Sequence, residues 1–113
     1  MSKYMQIDIR IIPFYEKRFE KRFPKIAEML RQVSYNEVVD KETSFYEMAN
    51  SLEAVADSPD TPSDVRDKIG PYAEKIMGLK ETAREHLLSR RLNELDQVLY
   101  RMEDAFEDLE HAL

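Results

Sequence analysis

The chain has 113 residues, no cysteine and two glycines, and 35% of its residues are charged. This length suits a single domain over residues 1–113 whose core needs no cross-links, and the lack of cysteine excludes disulfides, thiolate metal sites and cysteine nucleophiles. No apolar run approaches the ~20 residues that span a bilayer, so we expect a soluble chain that does not enter a membrane. Without a signal-peptide pattern, the expected compartment is the cytoplasm.

The net charge of −6 is distributed unevenly along the chain. Residues 1–33 carry eight Lys or Arg against four Asp or Glu, whereas residues 34–113 carry nine against nineteen. A basic segment of this kind either binds an anionic partner or lies beside the acidic part of the same chain. We favour the internal explanation, because bundle helices commonly pair opposite charges across their flanks.

The first twelve residues are predicted to form an N-terminal arm. Apolar and polar residues alternate over residues 3–12 as in a strand, but Met5, Ile9 and Ile12 also fit one helical face. A lone strand in a helical chain would have no internal partner, so we slightly favour a helical or irregular arm. If the arm is extended, it could pair with a second copy of the chain.

The first helix is predicted over residues 13–33, because apolar residues recur there at helical spacing and Pro13 suits a first turn. Pro24 removes a helical hydrogen bond, so a kink or a short break is expected around residues 22–24. The second helix is predicted over residues 35–57. Ser34 and Glu37 match a capping box at its start, and two prolines follow its end.

The third helix is predicted over residues 62–88, with Thr61 as its cap and Pro62 in its first position. Gly70 and Pro71 should kink or split it. A tight turn over residues 88–92 should then connect it to an antiparallel last helix. The alternative is a single bent helix over residues 71–113.

The last helix, over residues 92–113, has the clearest pattern in the chain. Its apolar residues step alternately by four and three, beginning just before the helix itself, at Leu88, Leu92, Leu95, Leu99, Met102, Phe106, Leu109 and Leu113. The residues between them are mostly charged, which is typical of a helix with one side against a core. The sequence therefore predicts an all-α, up-and-down antiparallel bundle of about four helices with an N-terminal arm.

Four basic residues of the first predicted helix are candidates for polyanion binding. Spaced three and four apart, they share one helical face and are interleaved with aromatic residues: Arg18, Lys21, Arg22 and Lys25. Such a face can bind phosphates while rings stack on bases. However, Tyr15 and Phe19 belong to the apolar stripe, so a solvated or internally paired face is the favoured interpretation.

No catalytic or metal-binding constellation is predicted. His86 and Ser89 are spaced to meet on one face but lack an orienting group, and the Asp108–His111 pair should face solvent. The sequence has no phosphate-binding loop, zinc signature or nucleophile elbow. We therefore expect no cofactor and favour a protein that is not an enzyme, although a small-ligand pocket inside the bundle would leave little trace in the sequence.

The leading hypothesis for function is a non-enzymatic protein–protein interaction module that self-associates or docks onto a protein partner. Tyr100 stands alone on the polar side of the last helix, and Arg101 follows it. Aromatic residues are enriched at protein interfaces, so these two residues are the predicted partner surface. Nucleic-acid or polyanion binding through the basic first helix is the alternative, and an enzyme or ligand pocket is the third.

Overall fold

A computed structural model gives the structure of residues 4–5 and 9–113, and all regular structure in this part is α-helical. The all-α class is therefore confirmed, although the helices number six in the described part. In chain order they are α1 (Phe19–Arg22), α2 (Pro24–Gln32), α3 (Asn36–Asp40), α4 (Phe45–Asp57), α5 (Ser63–Leu88) and α6 (Leu92–Ala112).

The three longest helices, α4, α5 and α6, pack against one another, and α2 packs on α6. Because a three-residue connection joins α5 to α6 and the two helices pack together, they form an antiparallel hairpin. The apolar stripe of α6 faces the core as predicted over most of its length, with Leu95, Met102, Phe106 and Leu109 buried. The stripe fails at its beginning, since Leu88 and Leu92 are exposed.

The first predicted helix begins six residues later than expected. Residues 9–18, which we call the leading segment, form neither helix nor strand, and α1 starts at Phe19. A tertiary contact explains the difference, because the Tyr15 hydroxyl donates a hydrogen bond to the Thr43 carbonyl. The predicted break at Pro24 is confirmed. Of the ambiguous arm, residues 3 and 6–8 lie outside the described residues.

The second predicted helix is two helices, α3 and α4, separated by residues 41–44. Ser34 does not cap α3 as predicted: it has a φ of 70°, and the cap position belongs to Tyr35, without a side-chain cap bond. Ser44 caps α4 instead, accepting a hydrogen bond from the Glu47 amide at 3.3 Å. The predicted capping pattern, a serine followed three residues later by a glutamate, is therefore found at Ser44 and Glu47, one helix later than predicted.

Three helices end in the same hydrogen-bonded motif. After α2, α3 and α5, a residue with positive φ lets the next amide reach back to the last helical turn, as Arg91 N does to His86 O at 2.9 Å. This is the Schellman arrangement, which usually uses glycine at the positive-φ position. Here the positions are filled by Ser34, Glu42 and Arg90, with φ of 70°, 48° and 56°.

The start of α5 differs from the prediction, and its end agrees. Thr61 is buried and donates to the Val55 carbonyl at 2.8 Å, so it does not cap α5, whose cap position is Pro62. Pro71 lies inside α5 without splitting it, since the helix runs on to Leu88. Burial of the apolar side on both sides of Pro71 outweighs the missing hydrogen bond. The turn over residues 88–92 is confirmed, and the single bent helix is wrong.

Arg90→Gly should stabilise the chain. The left-handed conformation at Arg90 strains any residue with a Cβ atom, so glycine should raise the free energy of unfolding by about 1 kcal/mol. Urea unfolding followed by circular dichroism measures this change. Arg91→Gly is the matched control, because its φ of −87° is relaxed and glycine there can only add chain entropy to the unfolded state. A less stable Arg90→Gly variant would contradict the assignment of the turn.

Candidate functional site

A cleft of about 360 Å³ lies between the leading segment, the start of α4 and the middle of α6. We call it the Tyr15 cleft. The sequence did not predict it, because its walls come from three separate parts of the chain. Its lining consists of residues 11–16, residues 44–46, Leu99, Met102 and Glu103.

Tyr15 fixes one wall of the cleft. Its hydroxyl donates to the Thr43 carbonyl at 2.6 Å, and its ring meets those of Phe19 and Phe45 edge-on at centroid distances of 5.8 and 5.7 Å. Burial raises the pKa of the Tyr15 phenol well above its usual value, and Glu42 and Glu103 add to the effect. The phenol therefore stays protonated and keeps its donor, so the leading segment is held on the turn before α4.

The rim of the cleft exposes large apolar side chains. Ile12 is 70% exposed and Phe14 is 86% exposed, whereas Phe19 and Phe23 farther along the chain are buried. Burying such side chains against a partner is favourable by about 1.5–3 kcal/mol each. Both exposed residues belong to the lining of the same cleft, so a partner that enters it could contact both.

The cleft is acidic as well as apolar. Among the described residues, its lining includes two carboxylic side chains, Glu16 and Glu103, and no Lys or Arg. Burial raises the pKa of the Glu103 carboxyl, and three further carboxylates raise it more by repulsion: Asp104, Glu107 and Asp96. A cation placed beside Glu103 would relieve this repulsion.

The predicted partner surface lies at the edge of this cleft. Tyr100 is 61% exposed, and Arg101 is exposed beside it. Tyr100 directly follows the lining residue Leu99 and precedes Glu103 by three residues, a spacing that makes two side chains neighbours on a helix. Tyr100 is not itself a lining residue, but this spacing places it beside Glu103 of the cleft on α6.

The four predicted polyanion-binding residues are not gathered on one helix. The break at Phe23 separates Lys25 from Arg18, Lys21 and Arg22. Arg22 pairs with Glu107 of α6 at 2.7 Å, and Arg18 pairs with Glu20 at 3.2 Å. Lys21 and Lys25 are exposed. Of the interleaved aromatic residues, Phe19 and Phe23 are core residues, so the rings available to stack on bases are few.

Glu110 is the polar residue whose role the sequence analysis missed. It is buried, and its two carboxylate oxygens accept hydrogen bonds from the Lys25 and Ile26 amides, both at 2.9 Å. These amides begin α2, whose cap residue Phe23 offers no side-chain acceptor and whose first residue, Pro24, has no amide hydrogen. An acidic residue at a helix N-terminus also interacts favourably with the helix dipole. The sequence feature that could have indicated this role is the start of α2 at Phe23 and Pro24, where no side chain can cap the helix.

The two histidines and the residues spaced to meet them lie near the C-terminal ends of α5 and α6. His86 is half-buried, while Ser89 is exposed at the end of α5, and Asp108 and His111 are exposed on α6. Residues 4–5 and 9–113 contain no group of three or more His, Cys, Asp or Glu placed to hold a metal ion. In the same part of the chain, no helix is long and apolar enough to cross a membrane.

Glu110→Gln should destabilise the fold by about 2 kcal/mol, because the neutral side chain has one carbonyl oxygen for two buried amides. Chemical unfolding measures the change. Glu107→Gln is the matched control on the same helix: it removes a half-exposed ion pair and should cost under about 1 kcal/mol. Equal effects of the two substitutions would contradict the capping role of Glu110.

Glu103→Gln should raise the melting temperature at pH 7. Because the pKa of Glu103 is raised in the folded state, that state binds the proton more tightly than the unfolded chain, so its stability falls as pH rises above the ordinary value of 4.5. The gain from glutamine should therefore disappear below that pH, where the carboxyl is protonated in both states. Glu74→Gln, on an exposed site of α5, is the control. A gain in melting temperature that persists in acid would contradict its assignment to the raised pKa of Glu103.

Comparison of the chain with protein-family models, with curated proteins and with solved structures gives no significant match.

Proposed function

We propose that the protein is a non-enzymatic protein–protein interaction module, built as an up-and-down helical bundle that presents the Tyr15 cleft to a protein partner. The observation that carries the proposal is the exposure of Ile12 and Phe14 at the rim of an apolar cleft. Apolar side chains clustered around a concavity are typical of binding sites, whereas single exposed apolar residues are common on any surface.

The composition of the cleft supports a protein partner. Aromatic residues dominate the binding energy of many interfaces, and here Phe14 in the cleft lining and Tyr100, one residue after the lining residue Leu99, are both exposed. Arg101 beside Tyr100 adds a residue type that is also enriched at interfaces. A fixed wall also favours binding: the partly buried hydrogen bond of Tyr15 holds the leading segment in place before a partner arrives, which lowers the entropy cost of association.

Polyanion binding through Arg18, Lys21, Arg22 and Lys25 is the alternative. The ion pair between Arg22 and Glu107 argues against it, because it neutralises one of the four cations within the chain. The two functions differ in their response to salt, since counterion release makes polyanion binding steeply salt-dependent, whereas apolar contacts persist at high salt.

The test is affinity capture from host lysate with the full chain and with an Ile12→Ser/Phe14→Ser variant, at low and at high salt. We expect a defined set of proteins that persists at high salt with the natural chain and is lost with the variant. Tyr100→Ser should weaken the same interactions. The substituted side chains are largely exposed, so circular dichroism should show an unchanged fold.

Asn50→Ser, on an exposed site of α4, is the matched control and should capture the same proteins as the natural chain. Capture of the same proteins by the Ile12→Ser/Phe14→Ser variant would contradict the proposal. Nucleic acid that is recovered at low salt and lost at high salt would instead support the polyanion alternative.

A further inference from the structure

The turn between α5 and α6 exposes leucines and arginines together. We call residues 88–92 the hairpin tip. Leu88 is 70% exposed and Leu92 is 53% exposed, and Arg90 and Arg91 between them are exposed as well. The tip carries two cations and no anion, in a chain whose net charge is −6. It is therefore a small apolar and basic surface.

The hairpin tip is open because α4 does not reach it. The Lys80 ammonium of α5 lies 4.7 Å from the ring centroid of Tyr46, in the first turn of α4. Residues 81–88 of α5 consequently extend beyond the start of α4, and so does the beginning of α6 that pairs with them. The leucines of the tip are thus left without cover from α4, although they continue the apolar stripe of the core.

The hairpin tip and the Tyr15 cleft are complementary in charge, and both expose apolar side chains. The cleft offers apolar side chains at its rim and carboxylates among its lining residues, whereas the tip offers leucines and guanidinium groups. Lys80 contacts the ring of Tyr46 but is not one of the lining residues of the cleft. Glu103 of the lining lies near the further carboxylates of Asp104, Glu107 and Asp96, so the negative charge extends along α6 from the cleft. Opposite charges at matching surfaces favour the correct partner and reject others.

We propose that the Tyr15 cleft binds the hairpin tip of a second copy of this chain. Leu88 and Leu92 of one copy cover the exposed rim of the other, and Arg91 pairs with Glu103. This inference rests on the proposed function and names the partner for the same cleft. It makes the chain its own ligand.

The charges also set the type of assembly. A symmetric contact of cleft against cleft would bring Glu103 of both copies together, which like-charge repulsion disfavours. A contact of tip against cleft joins two different surfaces, so it builds rings or open chains of molecules. Stable interfaces usually bury about 1,200–2,000 Å² in total, and a five-residue turn offers less, so association should be weak and should reverse on dilution.

The experiment is sedimentation velocity of the purified full chain over a wide range of concentration. The average mass of the natural chain should rise with concentration. Glu103→Arg and Arg91→Glu should each weaken association by at least about tenfold, because each places like charges at the contact. An equimolar mixture of the two variants should associate again, since the acidic tip of one then faces the basic cleft of the other.

Glu74→Arg and Lys75→Glu, on exposed sites of α5, are the controls with the same changes in net charge, and they should associate like the natural chain. If a charge-reversal variant has an altered circular dichroism spectrum, the Leu88→Ser variant is used in its place. This substitution at the exposed tip should also weaken association. A chain that is monomeric at every concentration overturns the inference, as does association that ignores the reversals or is not restored by mixing. The capture experiment with the Ile12→Ser/Phe14→Ser variant tests the proposed function separately, so the two can fail independently.

Discussion

The carboxylate of Glu110 at the start of α2 is the contact on which the N-terminal half of the structure depends. It joins the last helix to the second through two hydrogen bonds of 2.9 Å. With α2 fixed on α6, the stacked rings of Phe19 and Phe23 meet Phe45, which in turn packs on Phe106 at 4.5 Å. The leading segment then has a surface to lie on, and the Tyr15 cleft follows from its position.

The same arrangement explains the uneven charge of the chain. Arg22 of the basic N-terminal segment forms an ion pair with Glu107 of the acidic last helix. This is the internal pairing that the sequence favoured. Glu103 of α6 lines the cleft, and the neighbouring carboxylates of Asp104, Glu107 and Asp96 raise its pKa by repulsion. The unbalanced charge therefore lies where the apolar surface is also exposed.

The sequence predicted the long elements well and the breaks between the short ones poorly. The stripe of α6, the turn after α5 and the break at Pro24 were readable, because periodicity and proline are local signals. The role of Ser34 and the end of α3 were not readable, since Ser34 and Glu42 adopt a conformation that normally calls for glycine. With no glycine to mark the stop, Ser34 resembled a cap, and the two helices that follow were predicted as one.

The site was less predictable than the fold. Tyr100 was identifiable as an aromatic residue on a polar face, but the cleft needs Tyr15 to bond to Thr43, a contact between residues far apart in sequence. No local pattern announces such a contact. Glu110 was hidden for the same reason, because on its own helix it lies among other charged residues and its partners lie at the start of α2.

The most direct test of the account measures which surface of one copy meets the hairpin tip of another. Since the chain has no cysteine, Ser89→Cys gives a single position for a nitroxide spin label at the exposed tip. The spin-labelled variant, prepared at natural isotope abundance, is mixed with the ¹⁵N-labelled natural chain. The broadening of each amide signal of the ¹⁵N-labelled chain is then recorded. The account predicts broadening around residues 11–16 and near Glu103. Broadening centred on another surface, or none at a concentration where the chain associates, would contradict it.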